Sequence, residues 1–430
     1  MQRIFFKFLL SALIPALAVT AGPVSRAQSS PDEGGELIVI GHRGASGYRP
    51  EHTLASYTVA IKQGADFIGP DLVATKDGHL IARHENDLTG TTDVSERPEF
   101  ADRETTKTID GVAVTGWFSE DFTLAEIKTL HARERIPDVR PQNALFDDRF
   151  EIPTLVEVID LVERTEALTG RKVGIYPETK HPTFFAKEGT FVDGAPIGMS
   201  LGQMLIDILV EQGFTDPERV FIQSFEFENL IELQNQIMPA AGVDLPLVQL
   251  YGDITVPPAD SFGSPYDMIF NATQGADLQA IYGELASLVE ITGTTGYGEL
   301  ISNKVFKFMA ASYAEGIGPF KDSFLLKETL DAPVDTNGDG TAEVAAELTG
   351  EVHLFLARAF DAGLLVHPYT LRAEESFLTL HPNGVPQSVV GEAVQLYGLG
   401  VQGFFIDQPD LGVKARELFL RINGESRLID

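Results

Sequence analysis

Two histidines lie where apolar stretches typical of buried strands come to an end. His42 closes ELIVIGH, and His84 closes HLIARH. The ordinary pKa of an imidazole is about 6.5, so two of them can divide proton removal and proton donation near neutral pH. Carboxylates occur in two more such stretches, Asp71 in ADFIGPDLVAT and Glu178 in KVGIYPETK. Oxygen ligands of this kind hold hard cations such as Ca2+ or Mg2+.

Two basic residues accompany these groups. Arg43 follows His42 directly, and Lys180 follows Glu178 by two positions. Hydrolysis of a phosphodiester requires an anion to be neutralised while one oxygen loses a proton and another gains one. Arg43 and Lys180 would supply fixed positive charge against the phosphate. The combination predicts cation-assisted phosphodiester hydrolysis.

The elements that carry these residues alternate between strands and helices. Amphipathic helices are predicted at 53–64, 154–165 and 201–213, and apolar strands recur on either side of them. About eight strands separated by helical or inserted sequence favour an α/β fold, a closed (β/α)8 TIM barrel. In such barrels the strand ends meet on one rim. Further residues expected on that rim are Gln223, Tyr369, Arg372 and Asp407.

Residues 85–150 interrupt the alternation. The segment is polar, contains prolines and holds Trp117, the only tryptophan of the chain. We interpret it as a small cap subdomain inserted over the mouth of the barrel.

Several stretches together resemble the glycerophosphodiester phosphodiesterase family, in particular its periplasmic branch. The resemblance extends over roughly residues 36–425 and is carried in order by GHRGASGYRPEHTLASY, PDLVATKDGHLIARHENDLTGTTDV, YPETKHP, FIQSFEFENL, VHPYTLR and FFIDQPD. It implies a TIM barrel with a small insertion and a bound divalent cation, calcium most often and magnesium as the alternative. It also implies two-step chemistry, in which the glycerol hydroxyl of the substrate attacks phosphorus and water then opens the cyclic phosphate. The products would be glycerol 3-phosphate and an alcohol.

The resemblance also assigns roles to the residues that match its motifs. His42 and His84 take the general base and acid roles, Arg43 and Lys180 contact phosphate, and the carboxylates of Asp71 and Glu178 bind the cation. Ion pairs of these carboxylates with Arg43 or Lys180 are the alternative interpretation.

One position departs from the family pattern. The family has Glu-x-Asp at the second strand, whereas Gly69-Pro70-Asp71 stands here. Residues two apart in a strand share a face, so one of two paired ligands is missing. Glu51, Glu85 or water could replace it, and Glu51 could equally cap the following helix.

The N-terminus is typical of a secretory leader. Arg3 and Lys7 precede an apolar run too short to span a bilayer and ending in small residues. We predict a cleaved signal peptide at 1–27, a linker at 28–35, the catalytic domain at 36–430 and a periplasmic or secreted protein without a stable membrane anchor. A net charge of −31 argues against nucleic acid and anionic membranes as partners. A small glycerophosphodiester is the expected partner.

Three alternatives stay open. Gly69 permits a protein that keeps the pocket and binds without catalysis. A phospholipase D-like lipid phosphodiesterase is less favoured, because the inserted segments are mostly polar. Finally, residues 335–340, DTNGDG, resemble the start of a calcium loop, but Ala346 stands where an EF-hand has its bidentate acid, so a solvated turn is at least as well supported.

Overall fold

The computed structural model describes residues 37–257 and 261–426, so the predicted leader and linker lie outside the described residues. The strands are β1 (Ile38–His42), β2 (Phe67–Gly69), β3 (Asp71–Ala74), β4 (Leu80–Ala82), β5 (Thr105–Ile109), β6 (Val112–Gly116), β7 (Gly174–Ile175), β8 (Glu178–Thr179), β9 (Ile222–Ser224), β10 (Leu247–Tyr251), β11 (Gly316–Pro319), β12 (Leu325–Val334), β13 (Val344–Val352), β14 (Leu365–Val366) and β15 (Gly403–Ile406).

The helices occupy most of the connections between these strands. They are α1 (Leu54–Gln63), α2 (Leu124–Ile127), α3 (Pro141–Ala144), α4 (Leu155–Thr169), α5 (Leu201–Glu211), α6 (Phe227–Glu232), α7 (Met238–Ala241), α8 (Tyr266–Gln274), α9 (Leu278–Tyr282), α10 (Leu285–Leu288), α11 (Asn303–Ser312), α12 (Phe355–Asp361), α13 (Val389–Gly398) and α14 (Pro409–Ser426).

Parallel pairing closes the predicted barrel. The strands follow one another in the orders β15-β1-β2-β7 and β14-β11-β10-β9-β8-β3. These two series are continuous, because β2 and β3 are halves of one strand split at Pro70, and β7 and β8 are halves of one split at Pro177. Proline cannot donate a ladder hydrogen bond, which accounts for both breaks. Beyond β14, the Leu371 amide donates to the Phe405 carbonyl of β15 at 2.9 Å and completes the ring. The (β/α)8 barrel is confirmed.

Apolar side chains fill the barrel and its outer shell. A small interior cluster contains Ile40, Phe67, Tyr176, Val248 and Phe405. A larger cluster packs the outward faces of the strands against the helices. Burial on both faces is the reason that the strands are continuously apolar, which made them recognisable in the sequence.

Local signals fix the helix ends that flank the site. Helix α1 begins after Thr53, whose side chain accepts the Ser56 amide, and ends at Gly64 in the left-handed conformation. Helix α4 begins with a capping box between Thr154 and Glu157. The alternative prediction that Glu51 caps the first helix is therefore wrong.

Two long connections leave the barrel framework. The first lies between β4 and α4 and carries the β5–β6 hairpin, α2 and α3 over the segment predicted as a cap. The second is the β12–β13 hairpin, which the sequence analysis did not predict. Residues 335–340 lie between these two strands, where Asp335 accepts the Gly338 and Gly340 amides.

No helix within 37–257 and 261–426 is both long enough and apolar enough to cross a membrane.

Candidate active site

The six residues predicted from the motifs converge on one cavity of about 590 Å³ at the carboxyl ends of the barrel strands. They are His42, Arg43, Asp71, His84, Glu178 and Lys180. Glu51, which was predicted as an additional ligand, is not part of the cavity wall formed by the described residues.

The His42 imidazole is held by a carboxylate. Its Nδ1 lies 2.6 Å from Oδ1 of Asp407, which follows β15. Its Nε2 lies 3.5 Å from the Thr370 hydroxyl on the cavity side. Burial lowers the pKa of His42 to about 4, and Arg43 lowers it further while Asp407 opposes the shift. The ring is therefore neutral near pH 7 and can accept a proton.

His84 repeats this arrangement from the other side of the cavity. Its Nδ1 is hydrogen-bonded to the Glu85 carboxylate, and its Nε2 lies 3.3 Å from Nζ of Lys180. Burial and then the charge of Arg43 lower the pKa of His84 to about 3. Because both imidazoles are anchored through Nδ1, each presents Nε2 for proton transfer.

Asp71 and Glu178 face each other as register partners of β3 and β8. The Asp71 Oδ2 lies 3.0 Å from Nε2 of His52, a residue that the sequence analysis did not single out. Nζ of Lys180 donates to Glu178 Oε1 at 2.8 Å. Ion pairs are thus present for both carboxylates, since Oδ2 of Asp71 also lies 3.5 Å from Nε of Arg43.

Burial and mutual repulsion act differently on the two carboxyl groups. Burial raises the pKa of Glu178 to about 7, with Asp71 adding to the rise and Lys180 opposing it. For Asp71, burial acts in the same upward direction, but the charge and hydrogen bond of His52, together with the charges of His84 and Arg43, hold the pKa well below its ordinary value. Two adjacent buried carboxyl groups are hard oxygen donors suited to a divalent cation whose other ligands are water and substrate.

Gly69 leaves room where the family has a carboxylate. A Cβ atom built there would meet the Gly41 carbonyl oxygen at 3.6 Å, the Phe405 ring at 3.6 Å and the Tyr176 carbonyl oxygen at 3.8 Å. These are ordinary van der Waals distances. The absence of a side chain at 69 is therefore not imposed by the packing of the barrel.

Glu51 is instead the centre of an arginine cluster. Arg43 donates to its Oε2 at 2.9 Å, and Arg135 donates to both of its oxygens at 2.9 and 2.6 Å. These charges outweigh burial and hold the pKa of Glu51 well below its usual range. To bind a cation, Glu51 would have to give up its hydrogen bonds from Arg43 and Arg135.

Two arginines from the inserted segment were missed by the sequence analysis. Arg135 donates to both oxygens of Glu85, at 3.0 and 2.7 Å, and Arg140 donates to Oδ2 of Asp407 at 2.5 Å. Each therefore binds the carboxylate that anchors one of the two histidines. Both lie in the loop RERIPDVR, residues 133–140, which precedes helix α3. Because they are not at the end of a barrel strand, the reasoning from strand ends could not find them.

A barrel whose rim joins two anchored imidazoles to an arginine, a lysine and buried carboxyl groups has the features of a phosphoric diester hydrolase. Residues 42–296 match the family model described as the glycerophosphoryl diester phosphodiesterase family. The chain is 32% identical over 420 residues to glycerophosphodiester phosphodiesterase GDPD6 of Arabidopsis thaliana, covering 94% of each chain. The protein belongs to this family of hydrolases.

Two further comparisons agree. A glycerophosphodiester phosphodiesterase of Haemophilus influenzae is 34% identical over 224 residues, which is 50% of this chain and 57% of that one. A candidate glycerophosphoryl diester phosphodiesterase of Silicibacter pomeroyi has the same fold, with a TM-score of 0.51, 18% identity, and coverage of 88% of this chain and 93% of that one.

Proposed function

We propose that the protein hydrolyses glycerophosphodiesters to glycerol 3-phosphate and an alcohol, with His42 and His84 transferring the protons. The observation that carries the proposal is the matched pair of imidazoles on one cavity wall. Both use Nδ1 to bind a carboxylate and keep Nε2 on the cavity side. Family membership supplies the substrate class.

In the first step, His42 takes the proton of the glycerol hydroxyl next to the phosphate, and the oxygen of that hydroxyl forms a bond to phosphorus. Asp407 then faces an imidazolium, which its charge stabilises. His84, which becomes protonated when the phosphodiester anion binds beside it, donates a proton to the oxygen of the leaving alcohol as the bond between that oxygen and phosphorus breaks. In the second step the roles reverse: His84 takes a proton from water, and His42 returns one to the glycerol oxygen as the cyclic phosphate opens.

Arg43 and Lys180 neutralise the phosphate. Nε of Arg43 has no hydrogen-bond partner among the described residues, and the Arg43 side chain lines the cavity. A phosphate oxygen of the bound substrate can accept a hydrogen bond from this Nε. Lys180 carries its ammonium group beside His84 and above the Phe225 ring, 5.5 Å from its centroid.

Asp71 and Glu178 are the residues that would hold a divalent cation, calcium first and magnesium as the alternative. The cation would offset negative charge on the phosphate oxygens. Gly69 deprives this pair of a third carboxylate, so we expect weaker binding than a complete site would give. The missing carboxylate at Gly69 also favours a second candidate function, in which the protein binds glycerophosphodiesters without hydrolysing them.

Calcium titration with turnover measured on glycerophosphocholine tests both candidates. The proposal expects release of glycerol 3-phosphate that rises with calcium and disappears on chelation. Binding of glycerophosphocholine without product at saturating calcium would favour the second candidate.

We also propose that the chain is exported to the periplasm or secreted, as in the periplasmic branch of the family. The support is the leader pattern in residues 1–27. Protein purified from its native source should begin near Gly22 or Gln28, and an intact Met1 terminus on the folded protein would contradict export.

A further inference from the structure

One part of the cavity wall is acidic and takes no part in the proposed proton transfers. We call it the acidic subsite, and its members are Asp110, His181 and Glu226. Asp110 lies in the turn of the β5–β6 hairpin, and its Oδ2 lies 2.7 Å from His181 Nδ1. Oε2 of Glu226 accepts the Thr183 amide at 2.9 Å and its hydroxyl at 2.6 Å. The hairpin thus brings Asp110 from the insertion to residues that the barrel positions.

Each member has one polar atom without a hydrogen-bond partner among the described residues. These atoms are Asp110 Oδ1, His181 Nε2 and Glu226 Oε1. In the tautomer that donates from Nδ1 to Asp110, the His181 ring leaves Nε2 as an acceptor. In that tautomer, and with both carboxyl groups ionised, all three unpaired atoms are hydrogen-bond acceptors.

Such an arrangement is costly without an occupant. Glu226 is only 4% exposed, and a buried carboxylate without compensation is destabilising. Burial raises the pKa of Glu226 well above its ordinary value, and the charges of Asp267 and Asp110 raise it further. A cation that brings its own N–H donors would relieve both the missing hydrogen bonds and the repulsion.

The surroundings favour an organic cation over a metal ion. The aromatic rings of Phe225, Tyr266 and Tyr297 lie on the cavity wall together with the acidic subsite. A Cβ on Gly111, next to Asp110, would meet the Tyr266 ring at 3.5 Å, and the Tyr297 ring centroid lies 6.4 Å from that of Phe225, next to Glu226. Aromatic faces attract alkylammonium groups.

The cavity wall carries cationic groups and the acidic subsite together. Lys180 contacts His84 and Glu178, whereas His181, the next residue in the chain, contacts Asp110. A zwitterion with a phosphodiester anion and an ammonium cation in one small molecule matches this combination of charges.

We propose that the acidic subsite binds the ammonium head group of the leaving alcohol and selects diesters of ethanolamine type. A primary ammonium has three N–H donors, which match the three unpaired acceptors, whereas a quaternary ammonium can use only the aromatic faces and the negative charge. This inference rests on the proposed hydrolase function and specifies its substrate.

The test compares kcat/KM on glycerophosphoethanolamine, glycerophosphocholine and glycerophosphoglycerol. The variants are Glu226→Gln and Asp110→Asn, and the control is Glu232→Gln, which removes one charge from the same helix outside the cavity wall. We expect the wild type to prefer glycerophosphoethanolamine over glycerophosphoglycerol by roughly tenfold, with glycerophosphocholine between them. Both variants should lower the ethanolamine-to-glycerol ratio about tenfold, and the control should preserve it.

The glutamine at 226 retains an oxygen that can accept from Thr183, and thermal unfolding checks the fold. If Glu226→Gln does not fold, Asp110→Asn, in the hairpin turn, decides the question. Equal kcat/KM on all three diesters in the wild type, or uniform losses in the variants, would overturn the acidic subsite and leave the hydrolase intact. Turnover of none of the diesters would count against the proposed function. Calorimetry with ethanolamine would then judge the acidic subsite alone, because binding must weaken in both variants.

Discussion

Restoring a carboxylate at position 69 is the most direct perturbation of the proposed cation site. Side chains two residues apart on a strand lie roughly 7 Å apart on one face, so Gly69→Glu places a second negative charge near Asp71. At an effective dielectric constant of about 20, that repulsion is worth roughly 2 kcal/mol in the cation-free protein. Ordinary contact distances around the added Cβ indicate that the side chain fits. We therefore expect the cation-free variant to unfold at a lower temperature.

Calcium binding should respond in the opposite direction. The cation cancels the new repulsion and gains a ligand, so affinity should rise by about 1 to 3 kcal/mol, which is roughly fivefold to 150-fold. Gly69→Gln is the matched control, since it has the same size without the charge. Calorimetric calcium titration and thermal unfolding in a chelator measure both effects. If Gly69→Glu binds calcium no more tightly than Gly69→Gln and unfolds at the same temperature, position 69 does not face the carboxyl pair and our account of the site is wrong.

Three further predictions concern the imidazoles. His42→Ala and His84→Ala should each lower kcat on glycerophosphocholine by roughly 100-fold or more with unchanged thermal unfolding, and near-normal kcat in either variant would remove that residue from the mechanism. Because burial lowers the pKa of His42 to about 4, protonation of this base should give kcat/KM, measured at saturating calcium, an acid limb centred near pH 4. An acid limb centred near 6.5 would indicate a solvated imidazole instead. Asp407→Asn should lower kcat by roughly 100-fold or more with little change in KM, because an amide can hold the ring in the wrong tautomer, and equal loss in kcat and in substrate affinity would point to disrupted packing.

The parts of the fold that follow simple periodicity were predictable. Strand β1 is apolar on both faces and ends at His42, and helix α1 has its cap at Thr53 and its terminating Gly64. Such local signals set the order of elements, and the barrel rule then placed residues from distant strands on one rim. Asp407 was expected on that rim, although its hydrogen bond to His42 was not.

The residues that the sequence did not reveal come from irregular segments. Arg135 and Arg140 lie in a loop whose conformation depends on tertiary contacts, so their targets could not be read from spacing. His181 was not singled out from the sequence, and its ring contacts Asp110, which belongs to the β5–β6 hairpin in another part of the chain. The β12–β13 hairpin was missed because charged and polar residues interrupt the apolar residues of its exposed strands, which therefore lack the continuous apolar signal of the barrel strands.

The inserted arginines explain how the carboxylates can orient the histidines without making them too basic. A carboxylate on Nδ1 normally raises the pKa of an imidazole, and Asp407 acts on His42 in that direction. Arg140 and Arg372 both donate to Asp407 Oδ2, at 2.5 and 2.9 Å, and so balance its charge. Arg135 does the same for Glu85 beside His84. Each carboxylate thus fixes the ring geometry while burial lowers the pKa of the imidazole, and under the proposed mechanism an inserted loop would support the acid–base chemistry of the barrel.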